Sequence, residues 1–321
     1  MKAIVIGGAG FIGSHLCDAL LADGHNVVCV DNFSLGTKKN IEHLQGEEEF
    51  SVYEADAADK EILAGIFEET KPEIVYHLAA NSDIQASSVN PDIEYRNTYT
   101  TTYNVLYCMR KYGVKRLFFA STSAVYGDKR DVLLDENTPN LSPISYYGAA
   151  KLGSEALISA FSYMNDMHSL VFRFPNVIGP RLTHGVIFDF IRKLQKDPSQ
   201  LEILGDGRQT KPYIYVGDLV DAIVRFTRRD NEKAERASQA TGVSLYNLGV
   251  EGETSVTGIA DMLCEEMGLQ TVKYRYTGGE GGWKGDVPRF RYCIDKIHRE
   301  GWKAEYTSDE AVRKTIQECL K

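Results

Sequence analysis

No stretch of this 321-residue chain stays apolar for the ~20 residues that crossing a bilayer takes, so the sequence offers no membrane span. Basic residues are in deficit: 36 Lys and Arg stand against 45 Asp and Glu, a formal net charge of −9. Such a field repels polyanions and argues against non-specific binding of nucleic acid or anionic membrane, while leaving room for a local phosphate pocket. Cysteines are few and scattered, at Cys17, Cys29, Cys108, Cys264, Cys293 and Cys319. None has the paired spacing of a zinc site or a redox motif, so no metal is expected. Internal repeats and low-complexity segments are missing too. Met1–Ile6 runs straight into a glycine motif, without the basic, apolar and small-residue succession of a secretion signal. A cytoplasmic setting with reduced thiols is therefore expected.

The 43% hydrophobic residues are enough for a substantial core at this length, which rules out a disordered chain. They fall in short runs: residues 2–6, Asn26 to Val30, Phe50 to Tyr53, Ile74 to Leu78, Arg116 to Ala120 and Leu170 to Phe174. Between them lie segments of helical periodicity, and strands alternating with helices predict a parallel sheet covered on both faces. The alternation stops after Phe174. Helices are predicted over Val186 to Gln195, Thr257 to Met267 and Asp309 to Cys319, returning strands at Tyr213 to Val216 and Leu245 to Leu248, and a mobile surface loop over the polar residues 228–242.

The first strand ends in Gly7-Gly8-Ala9-Gly10-Phe11-Ile12-Gly13, a Gly-x-x-Gly-x-x-Gly turn that opens a helix. Missing side chains let the backbone turn sharply and approach a pyrophosphate, which the helix's unpaired first amides then stabilise. A glycine pattern alone is weak, but strand, turn, helix and a second strand ending in an acid make a specific context. That acid, Asp31, lies 18 residues beyond Gly13, where a carboxylate can accept ribose hydroxyls and repel a 2′-phosphate, favouring NAD over NADP. A turn or capping aspartate is the other reading. Lys38 and Lys39 nearby pull the other way on cofactor choice. Asp56, after the third strand, reads either as an adenine-edge contact or as a solvated loop carboxylate.

Tyr147 and Lys151 stand four positions apart, on one face if the segment is helical. A neighbouring ammonium favours phenolate, which lowers a pKa that starts near ~10 and makes Tyr147 a candidate base. Without the glycine turn the pair would read as an ordinary exposed helical couple. The run Ser121-Thr122-Ser123-Ala124-Val125-Tyr126-Gly127 follows an apolar strand, so Thr122 is placed to bind a reacting oxygen, or these hydroxyls merely end the strand.

Taken with His77-Leu78-Ala79-Ala80, Arg173-Phe174-Pro175-Asn176-Val177-Ile178-Gly179-Pro180, Gly205-Asp206-Gly207-Arg208-Gln209-Thr210-Lys211 and Gly285-Asp286-Val287, these motifs span nearly the whole chain. The chain resembles an extended short-chain dehydrogenase/reductase of the nucleotide-sugar epimerase/dehydratase group, UDP-glucose 4-epimerase-like in kind. The resemblance implies an α/β fold: a Rossmann-type doubly wound parallel sheet with a smaller, discontinuous C-terminal substrate lobe. The boundaries expected are 1–176, with returning segments about 213–250, for the NAD-binding domain, and 177–212 with 251–321 for the substrate lobe.

It also implies roles. Tyr147 would take the sugar hydroxyl proton, Lys151 would hold the nicotinamide ribose and acidify the phenol, and Thr122 would bind the same sugar oxygen. Cofactor contacts would come from Gly7, Gly10, Phe11, Ile12, Gly13, Asp31, Asn32, Asp56, Ala79 and Ala80 as well as Tyr147 and Lys151. Substrate contacts would come from Thr122, Ser123, Asn176, Lys211 and Arg289, a surface salt bridge being the other reading of Arg289. Dehydratases and decarboxylases of the group carry an acid just before Val-Tyr-Gly, and here that residue is Ala124. Losing it removes the acid/base that eliminating water needs, so 4-epimerization of a nucleoside-diphosphate sugar leads, ahead of a 4-dehydrogenase or keto-reductase and of a non-catalytic NAD sensor. Asn97 to Tyr112 and Tyr147 to Met164 resemble the helix pair that builds a four-helix homodimer interface.

Overall fold

A computed structural model describes residues 1–81, 83–236, 242–279 and 285–321. The chain divides into two compact units, one of residues 1–125, 145–173 and 220–246, the other of residues 126–144, 174–219 and 247–321.

The first unit is built on a seven-stranded sheet. Its strands lie in the order Gly242–Asn247, His168–Phe174, Arg116–Thr122, Ile74–His77, Lys2–Ile6, Asn26–Asp31, Phe50–Glu54. Ile4 sits opposite Val28 on one side and Val75 on the other, both in parallel pairing. Strands covered on both faces need apolar residues at every position, and Ala3 to Ile6 and Val27 to Val30 are accordingly all buried. One face is closed by Phe67, Val105, Leu106, Met109 and Ile158 from the helices Lys60–Thr70, Thr101–Tyr112 and Tyr146–Met164. Elsewhere in the unit Phe172 meets Phe118 and Phe226 edge-on, each at 5.4 Å between centroids. Successive strands step outward from Lys2–Ile6, then return to its other side at Ile74–His77. The carboxyl ends of those two strands are therefore the switch point, where this topology leaves its crevice.

The second unit has its own core of Phe190, Leu194, Leu201, Ile203, Leu263 and Ile316. Its helices Val186–Lys196, Val256–Glu266 and Ser308–Cys319 fall where the periodicity predicts them. Thr307 and Glu310 close the last of these with a reciprocal capping box.

Three expectations need correction. Tyr213–Tyr215 does not return to the main sheet; it pairs in parallel with Asn176–Ile178 in a separate two-stranded sheet. Residues 126–144, 174–176, 213–219 and 247–250 group with the second unit rather than the first. The polar stretch expected as a loop is helical to residue 236, as the end of the helix Val216–Arg236. That helix buries Leu219, Val220, Ile223 and Phe226 at helical spacing, and the turns so anchored carry it past residue 228. Residues 237–241 of the expected loop lie outside the described residues, and its last residue opens the strand Gly242–Asn247.

Candidate active site

The glycine turn leaves no room for side chains. Gly7 has φ 85°, and a Cβ there would stand 2.7 Å from the Ala79 amide nitrogen. A Cβ on Gly13 would stand 2.0 Å from the Gly7 carbonyl oxygen. Ala79 thus packs directly on the turn, with Ala80 following, both at the switch point. The helix Phe11–Ala22 begins at Gly10 with no side-chain cap and no acid in its first turn, so the amides around Phe11, Ile12 and Gly13 keep their positive end free for an anion.

Asp31 is buried and braces this turn: its carboxylate accepts from the Ala9 amide at 2.9 Å and from the Phe33 amide at 2.8 Å. Burial raises its affinity for a proton, against the pull of those amides. The Gly10 amide is a third donor to this carboxylate, which leaves one of its four lone-pair positions for a ribose hydroxyl, so the ligand role and the bracing role are compatible. Asn32 is exposed and accepts from the Ser34 amide. Asp56 is desolvated, but the Ala58 amide, Arg96 at 2.8 Å and Asn32 outweigh this and hold it below the usual carboxylate range. Lys38 is engaged at the surface by Glu54 at 2.7 Å, so that cation is already paired.

The second half of the site forms where the helix Tyr146–Met164 passes the end of the strand Arg116–Thr122. Ser145 caps the helix by accepting from the Gly148 amide at 3.1 Å. Lys151 is buried, and its Nζ donates to the Ala120 carbonyl at 2.7 Å and lies 5.9 Å from the centre of the Tyr147 ring. Burial brings its pKa down to about 8, while Glu94 and Glu155 pull upward. The Thr122 hydroxyl donates to the Tyr147 oxygen and accepts from the Ala124 amide at 3.2 Å. Thr122, Tyr147 and Lys151 are therefore together. Ser123 is partly exposed beside them and opens the short turn Ser123–Tyr126.

One expectation about this group fails. Lys151 does not make the phenol acidic on its own: burial first, then the charge of Glu94, push Tyr147 well up, and only the Thr122 hydroxyl pulls it down. Sequence reasoning also missed the surrounding charges. Ser121 donates to Glu155 at 2.5 Å, and Arg173 grips the same carboxylate through two nitrogens at 3.0 and 2.7 Å. Glu94, 1% exposed, accepts from Asn81 at 2.8 Å and from Thr98 at 2.7 Å. The Arg173 motif was visible but roleless; Glu94 lies 53 residues before Tyr147 and carries no local signal.

The remaining candidates belong to the second unit. Asn176 has a buried Nδ2 without a hydrogen-bond partner, a donor waiting for an acceptor. Lys211 is paired with Asp286 at 2.6 Å, and its strand neighbour Thr210 bridges to Arg289. The Arg289 guanidinium itself lies at the surface, 3.3 Å from Asp131, which is the alternative reading of that residue. Among the described residues no three His, Cys, Asp or Glu side chains cluster for a metal, and no helix is long and apolar enough to cross a membrane.

A family model described as the NAD dependent epimerase/dehydratase family matches residues 3–249. The chain is 33% identical to a putative UDP-glucose 4-epimerase of Methanocaldococcus jannaschii, covering 98% of this chain and 96% of that one. Among solved structures it is similar to a UDP-galactose 4-epimerase, at 35% identity and TM-score 0.84 over 100% and 99% of the two chains. It is also similar to the UDP-glucose 4-epimerase of Thermus thermophilus in complex with NAD, at 28% identity and TM-score 0.83 over 99% and 98%.

Proposed function

The chain belongs to the NAD dependent epimerase/dehydratase family, and on that footing we propose that it interconverts a nucleoside-diphosphate sugar and its C4 epimer. The observation that carries this reading is the meeting of the Thr122 hydroxyl with the Tyr147 phenol beside the buried Lys151 ammonium. The glycine turn, Asp31, Ala79 and Lys151 would hold NAD, which when bound would supply a reversible hydride acceptor. Tyr147 takes the proton of the C4 hydroxyl and later returns it. Thr122 fixes the oxygen from which that proton leaves. Lys151 offsets the charge that the Tyr147 phenolate carries before it takes that proton, in a pocket where little water competes. Ala124 supplies no carboxylate for eliminating water, so the residues in place serve oxidation and re-reduction alone.

UDP is the nucleotide this reading favours, because the relatives named above act on UDP-sugars. In the second unit, the orphan amide of Asn176 is the donor best suited to its diphosphate, with Lys211 contributing charge once Asp286 shares it. Arg289 would join only by leaving Asp131. We take the first unit as the NAD-binding domain and the second as the substrate lobe. The protein is a homodimer in this reading: Tyr95, Tyr103, Tyr163 and Met164, on or beside the helices Thr101–Tyr112 and Tyr146–Met164, leave large apolar surfaces exposed. Sedimentation at micromolar concentration should give twice the chain mass, and a monomer would remove the dimer from the account. All six cysteines are free, which suits the cytoplasm.

The test is incubation of the NAD-loaded protein with UDP-, GDP-, CDP- and dTDP-hexoses, followed by mass spectrometry after chromatographic separation of isomers. The expected result is exchange between C4 epimers with no net NADH. Unchanged hexoses would overturn the reading, and accumulating NADH would make the protein a 4-dehydrogenase instead.

A further inference from the structure

Four ionised side chains are buried or nearly so around the Tyr147 helix in the first unit, and they do not pair evenly. Arg173 and Glu155 satisfy each other through two hydrogen bonds. Lys151 and Glu94 are left with neutral partners: the ammonium donates to the Ala120 carbonyl, and the carboxylate accepts from the Asn81 amide and the Thr98 hydroxyl. An unpaired buried charge is costly, so two of opposite sign in one pocket hold each other in place.

The two are also joined mechanically. Ser154, three residues beyond Lys151, donates to the Thr102 hydroxyl at 3.1 Å, Thr102 donates to the Thr98 carbonyl at 2.8 Å, and Thr98 donates to Glu94. A π-helical stretch, Tyr95–Thr100, carries this connection, and it packs on the helix of Tyr147, where a Cβ at Gly153 would stand 3.0 Å from the Tyr99 ring. Widened turns of this kind disturb the regular ladder and recur where side chains must be aimed.

The other titratable groups facing the pocket are accounted for. Glu155, on the helix of Tyr147, is engaged by Arg173 from the strand His168–Phe174 and by Ser121 from the strand Arg116–Thr122. His77, from the strand Ile74–His77, stays neutral, its pKa brought down to about 3 by burial and by Lys151. Thr102 has spent its proton on Thr98, so the His77 Nε2 donates to it at 3.0 Å. Arg96, on the π-helical stretch, is held by Asp56. Tyr95 and Tyr99 on that stretch are phenols stacked on each other, and Asp83 before the helix Ile84–Val89 is exposed.

We propose that Glu94 is a positioning residue for the Tyr147–Lys151 pair, a buried counter-charge that favours the ammonium of the lysine and makes the phenolate of the tyrosine the stronger base toward a sugar hydroxyl. This rests on the proposed epimerase chemistry for its use but not for its existence. Its sign is fixed: the carboxylate favours the ammonium and opposes the phenolate, so removing its charge lets both groups lose their protons at lower pH.

Glu94→Gln keeps the shape and removes the charge. In the NAD-loaded enzyme, both limbs of the kcat/KM pH profile should move down together, by about 1 pH unit. A defect that is only structural would lower the plateau and leave both limbs where they were. The independent readout is ultraviolet difference titration of the Tyr147 phenolate in the NAD-free protein, with Tyr147→Phe in each background subtracted. A lower midpoint in Glu94→Gln supports the inference, and an unchanged midpoint in folded Glu94→Gln overturns it. The titration needs no substrate, so a shifted phenol in a protein without epimerase activity would sink the function and spare Glu94, and the reverse pattern would do the opposite. If Glu94→Gln does not fold, the double variant Glu94→Gln/Lys151→Met decides, because it removes both charges at once. Recovery of folding in the double variant supports the pairing, and its failure to fold counts against it.

Discussion

The glycine turn and the Tyr147 pocket lie in the same unit and both serve negative charge, yet they do so by opposite means. The turn works by subtraction: Gly7, Gly10 and Gly13 carry nothing, Asp31 ties the loop down, and only backbone amides are left to do the binding proposed above. The pocket works by addition, with Lys151, Glu94, Glu155 and Arg173 all placed where water is scarce. A site made of backbone should fail on steric change and ignore pH. One made of buried charges should tolerate shape and respond to charge.

The sharpest break of this contrast is Gly13→Ala. One methyl placed 2.0 Å from the Gly7 oxygen cannot be absorbed by a side-chain movement, so the purified variant should carry no NAD, as read by absorbance of the extracted nucleotide. Tyr147→Phe is the next largest: turnover should fall ~10²–10⁴-fold with NAD retained, because only the proton-carrying oxygen is lost. Activity near that of the unmodified enzyme would reject Tyr147 as the base. Arg173→Met should cost about 3–5 kcal/mol in urea unfolding, since it leaves Glu155 buried without its cation. The matching change at the surface, Arg289→Met, should cost no more than about 1 kcal/mol, because Arg289 and Asp131 are 58% and 80% exposed.

pH separates the two halves more gently. Lys151 has its pKa lowered from an ordinary 10.5 to about 8, so the folded protein bears the cost of the buried ammonium below about pH 8 and sheds it as pH rises toward 10.5. From this one group stability gains across that window, while turnover should fall as the ammonium disappears. Stability and activity moving in parallel there would contradict the placement of Lys151.

Backbone features were the legible ones. A glycine turn announces itself locally, and the same holds for strands such as Lys2–Ile6, whose unbroken apolar run follows from burial on both faces. Tyr213–Tyr215 shows the limit: an apolar triplet says strand, but nothing in it says which strand it will join. Polarity up to residue 236 suggests a loop, yet the chain there is helical, because an amphipathic helix is set by its apolar stripe and tolerates a polar end. In the site, Tyr147 and Lys151 were legible as a pair because four residues make one helical turn. Their proton affinities were not, because those depend on burial and on Glu94, which the fold brings in from a distant segment.

The central claim is that hydrogen leaves C4 and comes back to C4 of the same sugar while Tyr147 handles only the proton on oxygen. Proton NMR of UDP-hexose carrying deuterium at C4, incubated with the NAD-loaded protein in ordinary water, tests this directly. The account predicts that the epimer appears with its deuterium still at C4. Epimer bearing a solvent proton at C4, or labelled substrate recovered unchanged, would contradict it.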